Sequence, residues 1–229
     1  MVKAVFSSVA ESYDRMNDAM SLGIHRLWKR RFIRGINPRP GQTILDMAGG
    51  TGDIAFLLYK AMGGKADITV ADINPDMLAV GRDRAVEYGI ADGDLKWQEV
   101  DAETLPFEDN SFDLYTIAFG LRNVTHIDKA LSEAYRVLKP GGKFYCLEFS
   151  QVNAPGLKHI YDFYSFNIIP KLGEVIAQDR QSYQYLVESI RRFPSQDKLS
   201  LYMKRSGFEK TSYENLSAGI AAIHSGVKI

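Results

Sequence analysis

Apolar and polar positions change their periodicity repeatedly along this chain. Short runs rich in β-branched and aromatic residues predict five strands, at residues 43–47, 67–72, 95–100, 112–119 and 143–149. The segments between them carry apolar residues at helical spacing, which predicts helices over 53–62, 75–88 and 127–138. Because strands that alternate with helices are typical of β-α-β units, the pattern predicts an α/β fold with a mostly parallel sheet and helices on both faces.

The two ends of the chain depart from this alternation. Residues 208–216 and 219–229 are strand-like runs separated by little, which predicts a closing antiparallel hairpin and a Rossmann-like sheet of seven strands. Residues 1–36 and 155–206 are expected to be helical additions, the first a cap ahead of the sheet and the second an insertion before the sixth strand. We interpret the 229 residues as one domain, since a chain of this length can bury a single core.

Composition narrows the range of functions. The 28 basic and 28 acidic residues leave no net charge, which argues against a general nucleic-acid binder. The four histidines and the single cysteine, Cys146, do not have the spacing of metal ligands, so no metal site is predicted. No apolar run approaches the roughly 20 residues of a membrane-spanning helix, and the N-terminus shows no apolar core of a signal peptide.

The loop after the first predicted strand carries a nucleotide-binding signal. Its sequence GTGDIA, residues 50–55, fits the pattern G-x-G-x-x-A, and Asp72 follows about 20 residues later, where an acid accepts ribose hydroxyls. Glycines at such a turn let a ligand approach the backbone closely. This fingerprint alone suggests a dinucleotide and a nicotinamide-dependent oxidoreductase. A turn that needs its glycines only for packing is the plainer alternative.

Asp46, near the end of that strand, changes the expected ligand. It completes the pattern D-x-A-x-G-x-G, which resembles the nucleotide-binding motif of class I S-adenosylmethionine-dependent methyltransferases, with Ala48 where glycine is usual. An acid here suits the ammonium group of a methionine moiety and repels a pyrophosphate. Asp101 follows the third predicted strand, where that fold holds the adenine amino group. The resemblance implies S-adenosylmethionine as the cofactor and nine binding residues: Asp46, Gly50, Thr51, Gly52, Asp72, Ile73, Asp101, Ala102 and Ala118.

Longer motifs make the resemblance more specific. The chain is similar to the ubiquinone/menaquinone biosynthesis C-methyltransferase family in AFGLRNV (118–124), RVLKPGGKF (136–144), SYQYLVESIRRFP (182–194), AIHSGVKI (222–229) and the N-terminal VFSSVAESYDRMNDAMSLGIHRLWKR. This implies methylation of a ring carbon of 2-methoxy-6-polyprenyl-1,4-benzoquinol. Demethylmenaquinol methylation and a catalytically idle subunit of a quinone-biosynthesis complex are the alternatives. Ala118 replaces a serine of some members, which removes at most one hydrogen bond to the cofactor.

The expected chemistry points to three catalytic candidates. A ring carbon is a poor nucleophile until an adjacent hydroxyl loses its proton, so the site must favour a phenolate. Arg122 of the FGLRN motif is expected to stabilise the oxyanion and to hold a proton-accepting water, because its own pKa exceeds about 12. Asn123 would orient that water or the ring oxygen, and Tyr13 would close the ring pocket. The alternatives are a surface ion pair for Arg122, a helix cap for Asn123, with Thr125 competing for that role, and packing for Tyr13.

Two segments suggest contacts with partners. Residues 161–170, YDFYSFNIIP, fit a tunnel for a polyprenyl tail, a subunit interface or an ordinary core helix. Residues 25–34 carry five Lys/Arg and no acid, which fits either loose contact with an anionic membrane or a solvated helix that packs through its apolar stripe. That stripe consists of Ile24, Leu27, Trp28 and Phe32. We also expect a homodimer, contacts with other quinone-biosynthesis proteins and a mitochondrial matrix location at the inner membrane, with the bacterial cytoplasm as the alternative.

Overall fold

The computed structural model describes Ser21, residues 23–152 and residues 180–229. Its helices are α1 (His25–Ile36), α2 (Asp53–Ala61), α3 (Pro75–Glu87), α4 (Ile127–Val137), α5 (Arg180–Arg192) and α6 (Gln196–Arg205). Its strands are β1 (Thr43–Met47), β2 (Asp67–Asp72), β3 (Leu95–Glu99), β4 (Phe112–Ala118), β5 (Leu138–Phe149), β6 (Glu209–Leu216) and β7 (Ala221–Val227). A 3₁₀ turn, Leu121–Asn123, follows β4.

The seven strands form one sheet in the order β3-β2-β1-β4-β5-β7-β6. The first five strands pair in parallel, and β7 pairs antiparallel with both β5 and β6. This confirms the predicted fold class, including the closing hairpin. The chain runs outward from β1 in both directions, so β1 and β4 flank the switch point where open α/β sheets bind ligands at the carboxyl ends of their strands.

Apolar side chains cover both faces of the sheet. Alternate residues of β1 point to opposite faces, with Ile44 packing in one buried cluster and Leu45 in the other. The first cluster includes Trp28 of α1 and Leu58 of α2, whereas the second includes Leu131 of α4. The helices therefore hold the sheet from both sides, as the alternating pattern predicts.

Local signals account for most of the element boundaries. The side chain of Asn74 accepts a hydrogen bond from the backbone N–H of Asp76 at 2.9 Å, and Pro75 opens α3, so this predicted cap is confirmed. The fifth strand is longer than expected. It begins at Leu138, directly after α4, because Leu138 pairs with Phe112 and a register shift before Leu114 accommodates the glycines of the KPGG sequence.

The two helical additions are described only in part. α1 belongs to the predicted cap of residues 1–36, and α5 and α6 belong to the predicted insertion of residues 155–206. Residues 1–20 and 153–179, which include Tyr13 and the segment 161–170, lie outside the described residues. Within the described ranges, no helix combines the length and apolar character needed to cross a membrane.

Candidate functional site

A cavity of about 220 Å³ lies at the carboxyl edge of the sheet, where β1, β2 and β4 end. Most of the predicted cofactor residues line it: Asp46, Gly50, Thr51, Asp72, Ile73, Asp101, Ala102 and Ala118. Gly52 belongs to the same loop but is not part of the lining. Residues from four separate stretches of chain therefore meet at one place, because the carboxyl ends of parallel strands share one edge of the sheet.

The glycine loop has a backbone that side chains would disturb. Gly52 has a φ of 88°, and a Cβ placed there would lie 2.6 Å from the ring of Phe56. Ala48 also has a positive φ, 53°, which gives a physical reason why glycine is usual at this position of the motif. The backbone N–H of Gly50 donates to Asp72 Oδ2 at 3.0 Å and ties the loop to the end of β2.

Asp46 lies at the end of β1 with half of its carboxylate unused. The residue is 1% exposed, and its Oδ1 accepts a hydrogen bond from Thr116 Oγ1 at 2.7 Å. Its Oδ2 is buried and has no hydrogen-bond partner among the described residues. Burial raises the pKa of Asp46 to about 7, against the opposing effect of the Thr116 hydrogen bond. A cationic group in the cavity would meet this unused oxygen, which fits the ammonium of a methionine moiety.

Asp72 presents a carboxylate held by backbone groups. Its Oδ1 accepts from the N–H of Asn74 at 2.9 Å, and its Oδ2 accepts from Gly50. Burial raises its pKa to about 6, while these backbone hydrogen bonds act in the opposite direction. Each carboxylate oxygen has a second lone pair, so the fixed carboxylate can still accept from a pair of ribose hydroxyls.

A cluster of charges beside the loop was not predicted from the sequence. Lys29 Nζ of α1 donates to Asp53 Oδ2 at 2.6 Å, and Arg84 Nη2 donates to Asp53 Oδ1 at 2.8 Å. Arg84 Nη1 also donates to Thr51 Oγ1 at 2.8 Å. Burial raises the pKa of Asp53, but the two cations outweigh it and hold that pKa below its usual value. The cluster fixes the start of α2 and brings a lysine of α1 to the cavity wall.

Arg122 lies in a buried ion pair next to the cavity. Its Nη1 donates to Glu148 Oε1 at 2.8 Å and to the carbonyl oxygen of Phe119 at 2.5 Å. The side chain is fully buried and is not part of the cavity lining, so the alternative of a surface ion pair is wrong. Nε and Nη2 have no hydrogen-bond partner among the described residues. These two nitrogens carry three N–H groups, which remain for a water or a ligand oxygen.

Glu148, near the end of β5, holds this turn in place, and the sequence did not predict that role. Besides the guanidinium, it accepts from the backbone N–H of Arg122 at 3.3 Å and of Phe149 at 2.8 Å. Burial raises its pKa, and the charge of Arg122 opposes that shift. No local signal marked it, because it lies 26 residues from Arg122 in a run that reads simply as a strand.

Asn123 ends the 3₁₀ turn and lines the cavity. The hydroxyl of Tyr185, on α5, lies 3.4 Å from Asn123 Oδ1 and donates to it. Neither Asn123 nor Thr125 caps α4, so that alternative is wrong. The cap position belongs to His126, whose backbone N–H donates to Glu103 Oε1 at 2.9 Å. The carboxylate of Glu103 therefore stabilises the start of the helix in place of a residue of the helix itself.

Two of the four histidines take structural positions. His126 Nδ1 lies 2.7 Å from Glu103 Oε2 in an exposed pair, and His224 is buried beside the carbonyl oxygen of Gln196, where burial lowers its pKa to about 4. The part of the chain that the structure describes contains no cluster of three or more His, Cys, Asp or Glu side chains suited to a metal ion.

The basic helix α1 is not uniformly solvated. Of the predicted apolar stripe, Trp28 and Phe32 are buried, whereas Leu27 is 60% and Ile24 38% exposed, so only part of the stripe packs against the fold. Among its cations, Lys29 is buried against Asp53, and Arg31 pairs with Glu214 of β6 at 2.7 Å. The run thus divides its charges between the cavity wall, the sheet edge and solvent.

Comparisons with known proteins identify the family and the fold. The family model described as "ubiE/COQ5 methyltransferase family" matches residues 1–228. The mitochondrial 2-methoxy-6-polyprenyl-1,4-benzoquinol methylase of rice is 58% identical over 100% of this chain and 83% of its own length. The ubiquinone/menaquinone biosynthesis C-methyltransferase UbiE of Brucella abortus is 57% identical over 100% of this chain and 86% of its own length. A solved S-adenosylmethionine-dependent methyltransferase of Thermotoga maritima, titled a possible histamine N-methyltransferase, shares the fold with a TM-score of 0.70, 20% identity and complete coverage of both chains.

Proposed function

This chain belongs to the ubiE/COQ5 methyltransferase family, and we propose that it methylates a ring carbon of 2-methoxy-6-polyprenyl-1,4-benzoquinol. S-adenosylmethionine is the methyl donor. The rice relative, named a 2-methoxy-6-polyprenyl-1,4-benzoquinol methylase, supports the benzoquinol as substrate. The bacterial relatives carry a name that covers both quinone pathways, so demethylmenaquinol is the second candidate substrate. A catalytically idle subunit is disfavoured, because the cofactor cavity and the Arg122 turn are both present.

The cavity fits the cofactor at three points. The unused Oδ2 of Asp46 suits the ammonium group, the fixed carboxylate of Asp72 suits the ribose hydroxyls, and Asp101 with Ala102 suits the adenine. When bound, the sulfonium supplies the methyl group. The same unused oxygen counts against a nicotinamide dinucleotide, because a buried carboxylate repels a pyrophosphate.

The unpartnered guanidinium N–H groups carry the catalytic part of the proposal. Leaving a buried donor unsatisfied costs about 1–3 kcal/mol, so two such donors on Arg122 favour an acceptor outside the described residues. Because the side chain is fully buried and outside the cavity lining, we assign these donors to a water that takes the proton of the quinol oxygen. Negative charge grows on that oxygen as the proton leaves, and a guanidinium fixed in advance by Glu148 stabilises the charge without reorganising. Asn123, held by Tyr185, orients the same oxygen or water.

The redox state of the substrate provides a direct test. The quinol has a hydroxyl that can ionise and a ring that can become nucleophilic, whereas the quinone has neither. We expect methylation of short-chain benzoquinols only under reducing conditions, with one added ring methyl detected by mass spectrometry. Equal product from the oxidised quinone, its redox state being verified by absorbance, would contradict the mechanism. Running demethylmenaquinol analogues in parallel decides between the two substrate classes.

The cellular setting is proposed on less direct grounds. Relatives include a plant protein named mitochondrial and bacterial proteins, so the family works in both settings. We place this chain in the mitochondrial matrix beside the inner membrane, as a homodimer that contacts other quinone-biosynthesis proteins. Flotation with vesicles of anionic and of neutral lipid tests the membrane contact, and analytical ultracentrifugation tests the dimer. Binding to neither vesicle, or a monomer at micromolar concentration, would contradict the respective assignment.

A further inference from the structure

Lys29 is a buried lysine at the wall of the cofactor cavity. Its side chain is 7% exposed, and its Nζ lies 2.6 Å from Asp53 Oδ2. Lysine is almost never fully buried unless its charge is paired. The lysine comes from α1, which lies ahead of the sheet and outside every sequence motif associated with the cofactor.

The charges around the cavity are strongly unequal. Among the described residues that line it, Lys29 is the only cation, and it faces five carboxylates: Asp46, Asp53, Asp72, Asp101 and Glu103. S-adenosylmethionine carries two positive groups, the sulfonium and the ammonium, and one negative group, the methionyl carboxylate. The numerous acids suit the positive groups and the ribose, so the negative group has one matching partner in the lining.

We propose that Lys29 binds the methionyl carboxylate of S-adenosylmethionine, while Asp46 binds the ammonium of the same methionine end. The inference rests on the proposed cofactor site and adds to it a residue that selects for the carboxylate. Lys29 and Asp46 then recognise an amino-acid zwitterion with one buried charge of each sign. The glycine loop by itself offers no side-chain cation for this task.

The hydrogen-bonding capacity of Lys29 supports the assignment. An ammonium group has three donors, and Asp53 is the one acceptor found for Lys29 among the described residues. Asp53 keeps a second cationic partner in Arg84 at 2.8 Å. The lysine can therefore share its charge with a bound carboxylate without leaving Asp53 uncompensated.

The position of Lys29 is set before any ligand binds. Its neighbour Trp28 packs edge-on against Phe149, with ring centroids 5.9 Å apart, and donates from its Nε1 to Ser217 Oγ at 2.9 Å. Phe32, one turn later, is fully buried. Because α1 is anchored in this way, the ammonium of Lys29 is preorganised, and little side-chain freedom is lost on binding.

The test uses two ligands that differ only in the carboxylate, S-adenosylmethionine and its decarboxylated analogue, with calorimetric titration as the readout. The wild type should prefer S-adenosylmethionine. Lys29→Met should weaken S-adenosylmethionine by about 10- to 100-fold, the range expected for a charge-assisted hydrogen bond. The same change should leave the decarboxylated analogue within about threefold or bind it more tightly, because a cation that repels its ammonium and sulfonium is gone.

Arg84→Met is the matched control. It removes the other cation of Asp53, and Arg84 is not part of the cavity lining, so it should weaken both ligands to the same extent. Lys29→Gln is a second variant should Lys29→Met prove unstable, with circular dichroism as the check on folding. Equal loss of both ligands on changing Lys29, no loss of either, or a wild type that does not distinguish the two ligands overturns the inference. Failure of the wild type to bind S-adenosylmethionine at all would instead overturn the cofactor site.

Discussion

Asp46 and Glu148 are two buried carboxylates near the ends of β1 and β5, and the protein treats them differently. Each residue is 1% exposed. Glu148 accepts from the guanidinium of Arg122 and from two backbone N–H groups. Asp46 accepts from the Thr116 hydroxyl at Oδ1 and leaves Oδ2 without a partner among the described residues. One carboxylate is satisfied within the fold, whereas the other is left open toward the cavity.

The difference separates a supporting group from a binding group. A buried polar group is normally hydrogen-bonded, so an unpartnered oxygen on a residue that lines a cavity indicates a ligand. The carboxylate oxygens of Glu148 accept hydrogen bonds that fix the turn carrying Arg122 and Asn123. The unpaired hydrogen-bonding atoms are instead the Nε and Nη2 donors of Arg122. The two residues that we propose for opposite ends of the reaction therefore differ in charge: Asp46 leaves an anionic oxygen without a partner, and Arg122, paired with Glu148, leaves cationic nitrogens without one.

The largest expected effect is on stability and follows from breaking the buried ion pair between Arg122 and Glu148. Glu148→Ala leaves the buried charge of Arg122 uncompensated, so we expect a loss of about 3–5 kcal/mol in the free energy of unfolding, measured by urea denaturation. Glu133→Ala is the control, since Glu133 likewise accepts from a guanidinium and from a backbone N–H. Its partner Arg136 is 30% exposed and keeps Asp109, so a loss of about 1 kcal/mol or less is expected. Equal losses would contradict the comparison.

The next effect concerns rate rather than stability. Arg122→Met combined with Glu148→Gln removes both charges of the buried pair together, which avoids an unpaired charge and is expected to leave the fold intact. Single-turnover methylation should fall by about 10²–10³, as for loss of an oxyanion donor, while the affinity for S-adenosylmethionine stays close to that of the wild type. Arg122→Lys should recover part of the rate, because lysine keeps the charge but loses the planar fork. A double variant that retains more than about a third of the rate would make Arg122 purely structural.

A smaller effect is expected on the cofactor side. Asp72→Ala removes the acceptor for two ribose hydroxyls, with an expected loss of about 1.5–3 kcal/mol in binding free energy by calorimetry. It also releases Gly50, so Asp72→Asn, which keeps one acceptor oxygen, should weaken binding less. Unchanged affinity in Asp72→Ala would remove Asp72 from the binding site.

The smallest expected effect is the pH dependence of the affinity for S-adenosylmethionine. Only the ionised carboxylate of Asp46 attracts an ammonium, and its pKa is raised to about 7, so S-adenosylmethionine should bind about tenfold more weakly at pH 6 than at pH 8. The folded protein holds this proton more tightly than the unfolded chain does. Asp46 therefore makes the ligand-free protein less stable as the pH rises from about 4 to 7. Asp46→Asn should bind weakly at every pH and remove most of the dependence. A pH profile that Asp46→Asn leaves unchanged would assign it to other groups.

Local sequence determined the framework and much of the cofactor site. Alternating β-branched runs and helical stretches specify the strands and helices, since each side-chain pattern fits one backbone period. Asp46 was predictable because it stands near the end of a strand ahead of the glycines, and Asp72 because it ends the next strand about 20 residues after them; parallel strands bring such ends together. The role of the loop glycines was predictable as well. A positive φ, such as the 88° of Gly52, is one that residues with a side chain rarely adopt.

Tertiary structure alone decided which charges act together. Glu148 reads as part of a strand and Lys29 as one of five basic residues, yet each finds a partner more than 20 residues away, Arg122 and Asp53 respectively. The sequence cannot reveal such pairs, because the partner of a charged side chain depends on which groups are buried beside it. That burial depends on how α1, β5 and the 3₁₀ turn pack. The sequence singled out the FGLRN run as the catalytic candidate, and that assignment stays a prediction. The orientation of Arg122, with Nη1 bound to Glu148 and with Nε and Nη2 lacking a partner among the described residues, exists only in the folded protein.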